Sequence, residues 1–192
     1  MLLIIDNQSR YIHKFKHNYL DELDIPYHFI DHNDAIDFNL LPQVQGMILS
    51  GGKGSPYEPL NLTSNFVALM NLDVPTLGFC LGHEVIAVTG GGRIKRLPEY
   101  QNRKSAITLD TLDDPIFAGL DSTEVRIQKR HRYHVINLPQ NYLRLAHSDI
   151  CPNEIIRHKE KAVYGFQGHP EVSGSSCLTM MDNFMRMCGL ID

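Results

Sequence analysis

The sequence predicts an α/β fold of three layers: a mostly parallel central sheet with helices on both faces, plus a few antiparallel strands. Three observations lead there. Short continuous apolar runs end abruptly at polar or glycine positions, as strands buried on both faces do. Stretches of helical periodicity fall between the early runs, and that alternation calls for a parallel sheet covered on both sides. In the second half the runs follow one another with few helices between them, which adds antiparallel strands.

Leu2 to Ile5 is the first run, stopping at Asp6-Asn7. From about Tyr11 to Leu23, the apolar residues Tyr11, Phe15, Tyr19 and Leu23 recur every fourth position, one face of a helix. Pro26 ends that helix, and Tyr27 to Ile30 reads as the second strand. Gly46 to Leu49 is a third, running into Ser50-Gly51-Gly52. Asn65 to Leu72 reads as helix, Val74 to Phe79 as a fourth strand, and Gly82 to Thr89 as helix again, halted by Gly90-Gly91-Gly92. Ser105 to Leu109, Glu124 to Gln128, Tyr142 to His147, Glu154 to His158 and Ala162 to Phe166 read as shorter strands. Ser176 to Cys188 is a final helix, with Leu178, Met181, Phe184, Met185 and Cys188 as a core-facing stripe.

The 192 residues suffice for one domain spanning 1–192, and no repeat or linker divides them. A net charge of −4 offers no basic field for nucleic acid or an anionic membrane. No apolar run reaches membrane-spanning length, and the start MLLIIDNQSR lacks the basic region of a signal peptide. A cytoplasmic protein with four free thiols is the expectation, three of them buried structural cysteines. No C-x-x-C pair is present. His13 and His17 have a helical metal-ligand spacing, but no neighbouring glutamate or third ligand accompanies them, so no metal and no cofactor are expected.

Gly78-Phe79-Cys80-Leu81-Gly82 carries the most information. A buried strand enters a helix through a glycine, a nucleophile and a second glycine, the pattern of a nucleophile elbow. The turn is tight, so the residues two places either side of the nucleophile must lack side chains. The helix that follows aims its free N–H groups at the sulfur, and this predicts a lowered thiol pKa. A cysteine nucleophile needs a base and a group to orient that base. Gln167-Gly168-His169-Pro170-Glu171 follows a strand predicted to end at the same sheet edge, and Glu171 is near enough to fix the tautomer of His169.

These motifs, in this order and spacing along nearly the whole chain, resemble the class I, or triad-type, glutamine amidotransferases. The resemblance implies the flavodoxin-like sheet of that family. Gly78-Phe-Cys80-Leu-Gly82-His83 is similar to its nucleophile motif, Gln167-Gly-His169-Pro-Glu171 to its Q-F-H-P-E, and Ser50-Gly51-Gly52 to its oxyanion loop. It implies Cys80, His169 and Glu171 as catalytic residues and the N–H groups of Gly52 and Leu81 as the oxyanion hole. Gly51, Glu84, His131, Arg132, Tyr133, Gln167 and Gly168 are implied at the substrate. Within the family the chain most resembles the amidotransferase subunit of two-chain GMP synthetases, through Asp6-Asn7, Asp114-Pro-Ile-Phe-Ala-Gly-Leu120 and Cys151-Pro152-x-Glu154 followed by His158. Ser50-Gly-Gly-Lys-Gly-Ser-Pro56 and Arg132-Tyr133-His134 are instead similar to loops of anthranilate synthase subunits. The implied chemistry is hydrolysis of glutamine, with ammonia passed to a separate ATP-dependent synthetase, since no ATP motif is present here. In the family the region matching Pro98 to Lys104, here polar, lies near that partner.

Three positions depart from the family. Glu84 stands where C-x-G-x-Q has glutamine, Gly168 where Q-F-H-P-E has phenylalanine, and Tyr133 where the GMP synthetase S-H-x-D has aspartate if Arg130-His131-Arg132-Tyr133 is aligned to it. A glycine at 168 predicts open space beside the histidine. The departures keep two alternatives open: a stand-alone amidase or γ-glutamyl hydrolase with altered specificity, and a catalytically dormant regulatory module.

Overall fold

The computed structural model describes residues 1–57 and 62–192. Among them nine strands form one sheet: β1 (Leu2–Asp6), β2 (Tyr27–Asp31), β3 (Gly46–Leu49), β4 (Thr76–Phe79), β5 (Arg93–Leu109), β6 (Glu124–Asn137), β7 (Tyr142–His147), β8 (Ile155–His158) and β9 (Val163–Phe166). Their order is β2-β1-β3-β4-β9-β8-β7-β5-β6. β2, β1, β3, β4 and β9 are mutually parallel, and β8, β7, β5 and β6 continue the sheet antiparallel. The helices are α1 (Arg10–Phe15), α2 (Thr63–Asn71), α3 (Leu81–Thr89) and α4 (Ser175–Met187).

The continuous apolar runs are explained by what covers them. Successive residues of a strand point to opposite faces. Leu2 and Ile4 pack with Phe15 of α1 and with Met181 and Phe184 of α4 on one face. Leu3 and Ile5 pack with Ala68 of α2 and with Val85 and Ile86 of α3 on the other. A strand with helices on both sides has no wet face and therefore no polar alternation.

Three elements differ from the sequence expectation, each for a local reason. The first helix is shorter: α1 passes into a π-helical turn over Lys16–Leu20, and the chain leaves it with Asp24 at φ 50°. The wider turn shifts the register, so Tyr11, Phe15 and Tyr19 stay buried while Leu23 is exposed. In α4 the buried stripe is Cys177, Met180, Met181, Phe184 and Met185, and Leu178 faces outward. Ser105 to Leu109 and Glu124 to Gln128 are only the bases of a long hairpin, which carries Pro98 to Lys104 inside β5 rather than in a loop. The register of that hairpin shifts between Arg96 and Gln101, and such a bulge interrupts the alternation that marks a strand in sequence.

A buried ion pair ties the hairpin to the sheet. Lys129 of β6 and Glu154, just before β8, are each only 1% exposed. The Lys129 ammonium donates to Glu154 and, at 3.2 Å, to Ser148 Oγ. Removing one member of such a pair strands a charge, whereas replacing both with apolar groups does not. Lys129→Ala is therefore expected to lower stability by roughly 3–5 kcal/mol in urea unfolding. The double change Lys129→Met with Glu154→Leu should recover most of that loss.

Candidate active site

Parallel strands bring their carboxyl ends to one edge, and ligands bind there, above the point where the strand order reverses. In this sheet the reversal lies between β1 and β3. Residues 7–11 follow β1, Ser50–Gly52 follow β3, Cys80 follows β4 and Gln167–Glu171 follow β9. The chain thus collects four segments at one edge from four distant stretches of sequence.

Cys80 occupies the step from β4 to α3 with φ 49° and ψ −100°, a conformation rare for a residue with a side chain. Its N–H donates to Phe166 O at 2.8 Å, and its carbonyl accepts from Glu84 N at 3.0 Å. The flanking glycines are steric requirements. A Cβ on Gly82 would lie 2.2 Å from Leu49 O, and one on Gly78 would lie 2.6 Å from the carbonyl carbon of Gly82. The backbones of β3, β4 and α3 meet here with no room for a methyl group.

The N–H groups of Leu81 and Gly52 both face the Cys80 sulfur. The loop bearing Gly52 is held from below. Asn7 N–H donates to Ser50 Oγ and Asn7 Nδ2 to Ser50 O, each at 2.8 Å. Asn7 and Asn65 exchange amide hydrogen bonds at 3.0 and 2.8 Å. These contacts pin the loop to β1 and α2 before any ligand arrives.

His169 is 3% exposed, and its Nδ1 lies 2.8 Å from Glu171 Oε1. The carboxylate accepts, so the proton is assigned to Nδ1, and Nε2 is left as a base. Three further contacts fix the ring and its backbone. Tyr11 packs edge-on to it with centroids 4.7 Å apart. His169 N–H donates to Gln128 O of β6 at 2.8 Å. Ser173 Oγ donates to His169 O. Gly51 lies between Cys80 and His169: a Cβ there would fall 2.8 Å from His169 Cε1 and 3.4 Å from Cys80 Cβ.

The thiol does not have the lowered pKa that the helix N-terminus suggested. Burial pushes Cys80 well above its ordinary value of 9.0, and the charges of Glu84 and Glu171 push it further, against the smaller effect of the two N–H groups. At rest the sulfur carries its proton. The favourable helix dipole is real, but desolvation of an anion is the larger effect in a closed site.

Above Cys80 opens a cleft of about 440 Å³. Cys80, His169, Gly52, Leu81, Glu84, His131, Arg132 and Tyr133 line it. So do Arg10, Tyr11, Lys53, Tyr100 and Arg130, none of which the resemblance implied at the substrate. Arg10 and Tyr11 open α1, four and five residues past the carboxyl end of β1, and that position was the available signal. His131 is 2% exposed, and its Nδ1 contacts Tyr133 O at 2.8 Å. Burial lowers its pKa to about 3, so it stays neutral.

Gly51, Gln167 and Gly168 are not among the residues that line the cleft. Gln167 is fully buried and donates from Nε2 to Glu84 Oε1 at 3.1 Å. The space expected at Gly168 is filled: a Cβ there would come within 2.7 Å of the Ile127 side chain. Ile127 occupies the room a larger residue would need. Among the described residues, no helix is long and apolar enough to cross a membrane.

The arrangement is that of a thiol beside a histidine–carboxylate pair, under two N–H donors, in a closed-backed cleft. The family model described as "Glutamine amidotransferase class-I" matches residues 3–188. The chain is 34% identical over 194 residues to the glutamine-hydrolyzing GMP synthase subunit of Methanococcus aeolicus, covering 100% of this chain and 99% of that one. It is 32% identical over 195 residues to the protein of the same name from Pyrococcus furiosus, covering 98% and 99%. A crystal structure of a candidate GMP synthase subunit from Thermoplasma acidophilum superposes with TM-score 0.86 and 27% identity, over 98% of this chain and 93% of that one. A glutamine amidotransferase structure from Thermotoga maritima shares the fold at TM-score 0.75 and 18% identity, over 96% of this chain and 80% of that one.

The resting state of the thiol is open to a direct check. Alkylation of Cys80 by iodoacetamide, followed by intact mass against a Cys80→Ala control, is expected to accelerate with pH past 9.0 without levelling off. Glu84→Gln removes a negative charge that favours the protonated thiol, so it should speed alkylation several-fold at about pH 8. A rate already flat near neutral pH would mean a resident thiolate.

Proposed function

This chain belongs to the class I glutamine amidotransferases, and from that premise we propose that it is the glutamine-hydrolysing subunit of a two-chain GMP synthase. Its reaction runs on Cys80, His169 and Glu171. The observation that carries the reading is the Cys80 step at φ 49° with the N–H groups of Gly52 and Leu81 on its sulfur. The relatives that bear the GMP synthase name, matched end to end, support the subfamily.

His169 Nε2 takes the proton from Cys80, and Glu171 holds the other side of the ring and stabilises the imidazolium. The thiolate attacks the side-chain amide carbon of glutamine. The developing oxyanion sits between the Gly52 and Leu81 N–H groups, where fixed donors need no reorganisation. His169 protonates the leaving nitrogen, and ammonia departs. A water, deprotonated by the same histidine, then hydrolyses the glutamyl thioester.

Glutamine contacts Glu84, His131, Arg132 and Tyr133 in the cleft, with Gly51, Gln167 and Gly168 supporting that lining. A carboxylate at Glu84 suits the α-ammonium of the substrate. Ammonia goes to a separate ATP-dependent synthetase chain in the cytoplasm. The hairpin of β5 and β6 overhangs the cleft through Tyr100, so it is the surface we assign to that partner.

Treatment with an electrophilic glutamine analogue is expected to leave one adduct, on Cys80, read by intact mass and absent in Cys80→Ala. Glutamine hydrolysis should fall by roughly 10³ or more in Cys80→Ala, and by about 10²–10⁴ in Glu171→Gln with KM little changed. Hydrolysis surviving in Cys80→Ala would overturn the assignment.

A further inference from the structure

In any amide cleavage at this site, the two halves of the substrate leave in different directions. The acyl carbon sits on Cys80, and the leaving nitrogen must reach the residue that protonates it. His169 therefore marks the leaving-group side of the cleft. When glutamine is the substrate, nothing hangs from that nitrogen, and the space beyond His169 needs no recognition chemistry.

The structure has recognition chemistry there. Tyr11 lies edge-on to the His169 ring at 4.7 Å. Two guanidinium groups flank Tyr11, Arg10 at 5.2 Å and Arg130 at 5.8 Å from its ring centroid. Arg130 is further fixed by its Nε–H donating to Tyr100 OH at 3.2 Å. Stacking on aromatic rings pre-orders guanidinium groups, so less freedom is lost when they bind an anion. Both guanidinium groups belong to the cleft lining. Among the described residues, Lys53 and Arg132 add two more cations to the lining, and Glu84 is its one acidic side chain. The cleft of about 440 Å³ is of a size that holds ligands larger than one amino acid.

We infer that the site also cleaves γ-glutamyl amides whose amine half carries a carboxylate, γ-glutamyl dipeptides being the simplest, with Arg10 and Arg130 binding that carboxylate. The inference rests on the triad reading above and adds a second substrate class to it. The atoms balance with water alone. The Cys80 sulfur forms a bond to the γ-carbon, the C–N bond breaks with its electron pair passing to nitrogen, and His169 supplies the proton. The amino acid leaves in place of ammonia. Water then releases glutamate from the thioester. Arg10 and Arg130 touch only the substrate's far end, so they set specificity and take no part in bond making.

The test compares two probes that differ only in the leaving half, γ-glutamylglutamate and neutral γ-glutamylmethylamide, on the full chain. The expected result is at least a tenfold higher kcat/KM for the anionic probe. That preference should shrink below threefold in the double variant Arg10→Gln with Arg130→Gln, and also in the native chain at about 1 M salt, where exposed charges are screened. Arg130→Lys, which keeps the charge, should retain part of it. Equal rates for the two probes, or a preference untouched by salt and by the double variant, overturn the inference. If the chain alone turns over neither probe, calorimetry on Cys80→Ala decides: the anionic probe must bind at least tenfold more tightly. Glutamine hydrolysis and Cys80 labelling, measured alongside, report on the glutaminase reading separately, so either proposal can fail while the other stands.

Discussion

The contact between Gly82 and the carbonyl oxygen of Leu49 governs the rest of the site. A side chain at 82 would meet that oxygen at 2.2 Å, so the start of α3 can press directly on the end of β3. Cys80 sits in this close-packed step with its positive φ, and the loop that leaves β3 after Leu49 brings the Gly52 N–H to the sulfur. Strain of this kind is held only where neighbours over-determine it. Here the Cys80 N–H to Phe166 hydrogen bond and the Asn7–Ser50–Asn65 network supply that determination. Cys80 and the two N–H groups that face its sulfur are therefore held together by close backbone packing.

The same closeness sets the electrostatics. A site shut enough to fix an oxyanion is dry enough to disfavour a free thiolate. Cys80 is also near two carboxylates, and one of them, Glu84, stands where the family motif carries a neutral glutamine. A resting thiol that keeps its proton is protected from stray electrophiles and oxidants, because reactivity follows the thiolate. In the proposed reaction, His169 removes that proton.

Positive charge is distributed against the chain's own balance. The molecule is net −4, yet the described part of the cleft lining holds four cationic side chains and one acidic one. The β5–β6 hairpin supplies two of those cations, Arg130 and Arg132, and it is anchored by the buried Lys129–Glu154 pair next door. The element that departs most from the sequence expectation is thus also the one that sets the character of the cleft. His169 depends on it as well, through the hydrogen bond to Gln128.

By itself the sequence determined the fold class, the parallel strands and the Cys80 turn, because each rests on local constraints. Apolar runs without alternation mean two covered faces, and glycines two places either side of a cysteine mean a turn too tight for side chains. It also pointed to His169 and Glu171, two residues apart. The reach of the hairpin was not legible, because a bulge between Arg96 and Gln101 hides the strand period. Nor was the Arg10–Tyr11–Arg130 group, because the start of α1 meets Arg130 of β6 only in the folded chain. The thiol's protonation ran opposite to the local signal, and the openness expected at Gly168 was filled by Ile127. Burial and neighbour charge are properties of the assembled molecule. A helix N-terminus can be read from a motif, but the desolvation that outweighs it exists only once the cleft has closed around the sulfur.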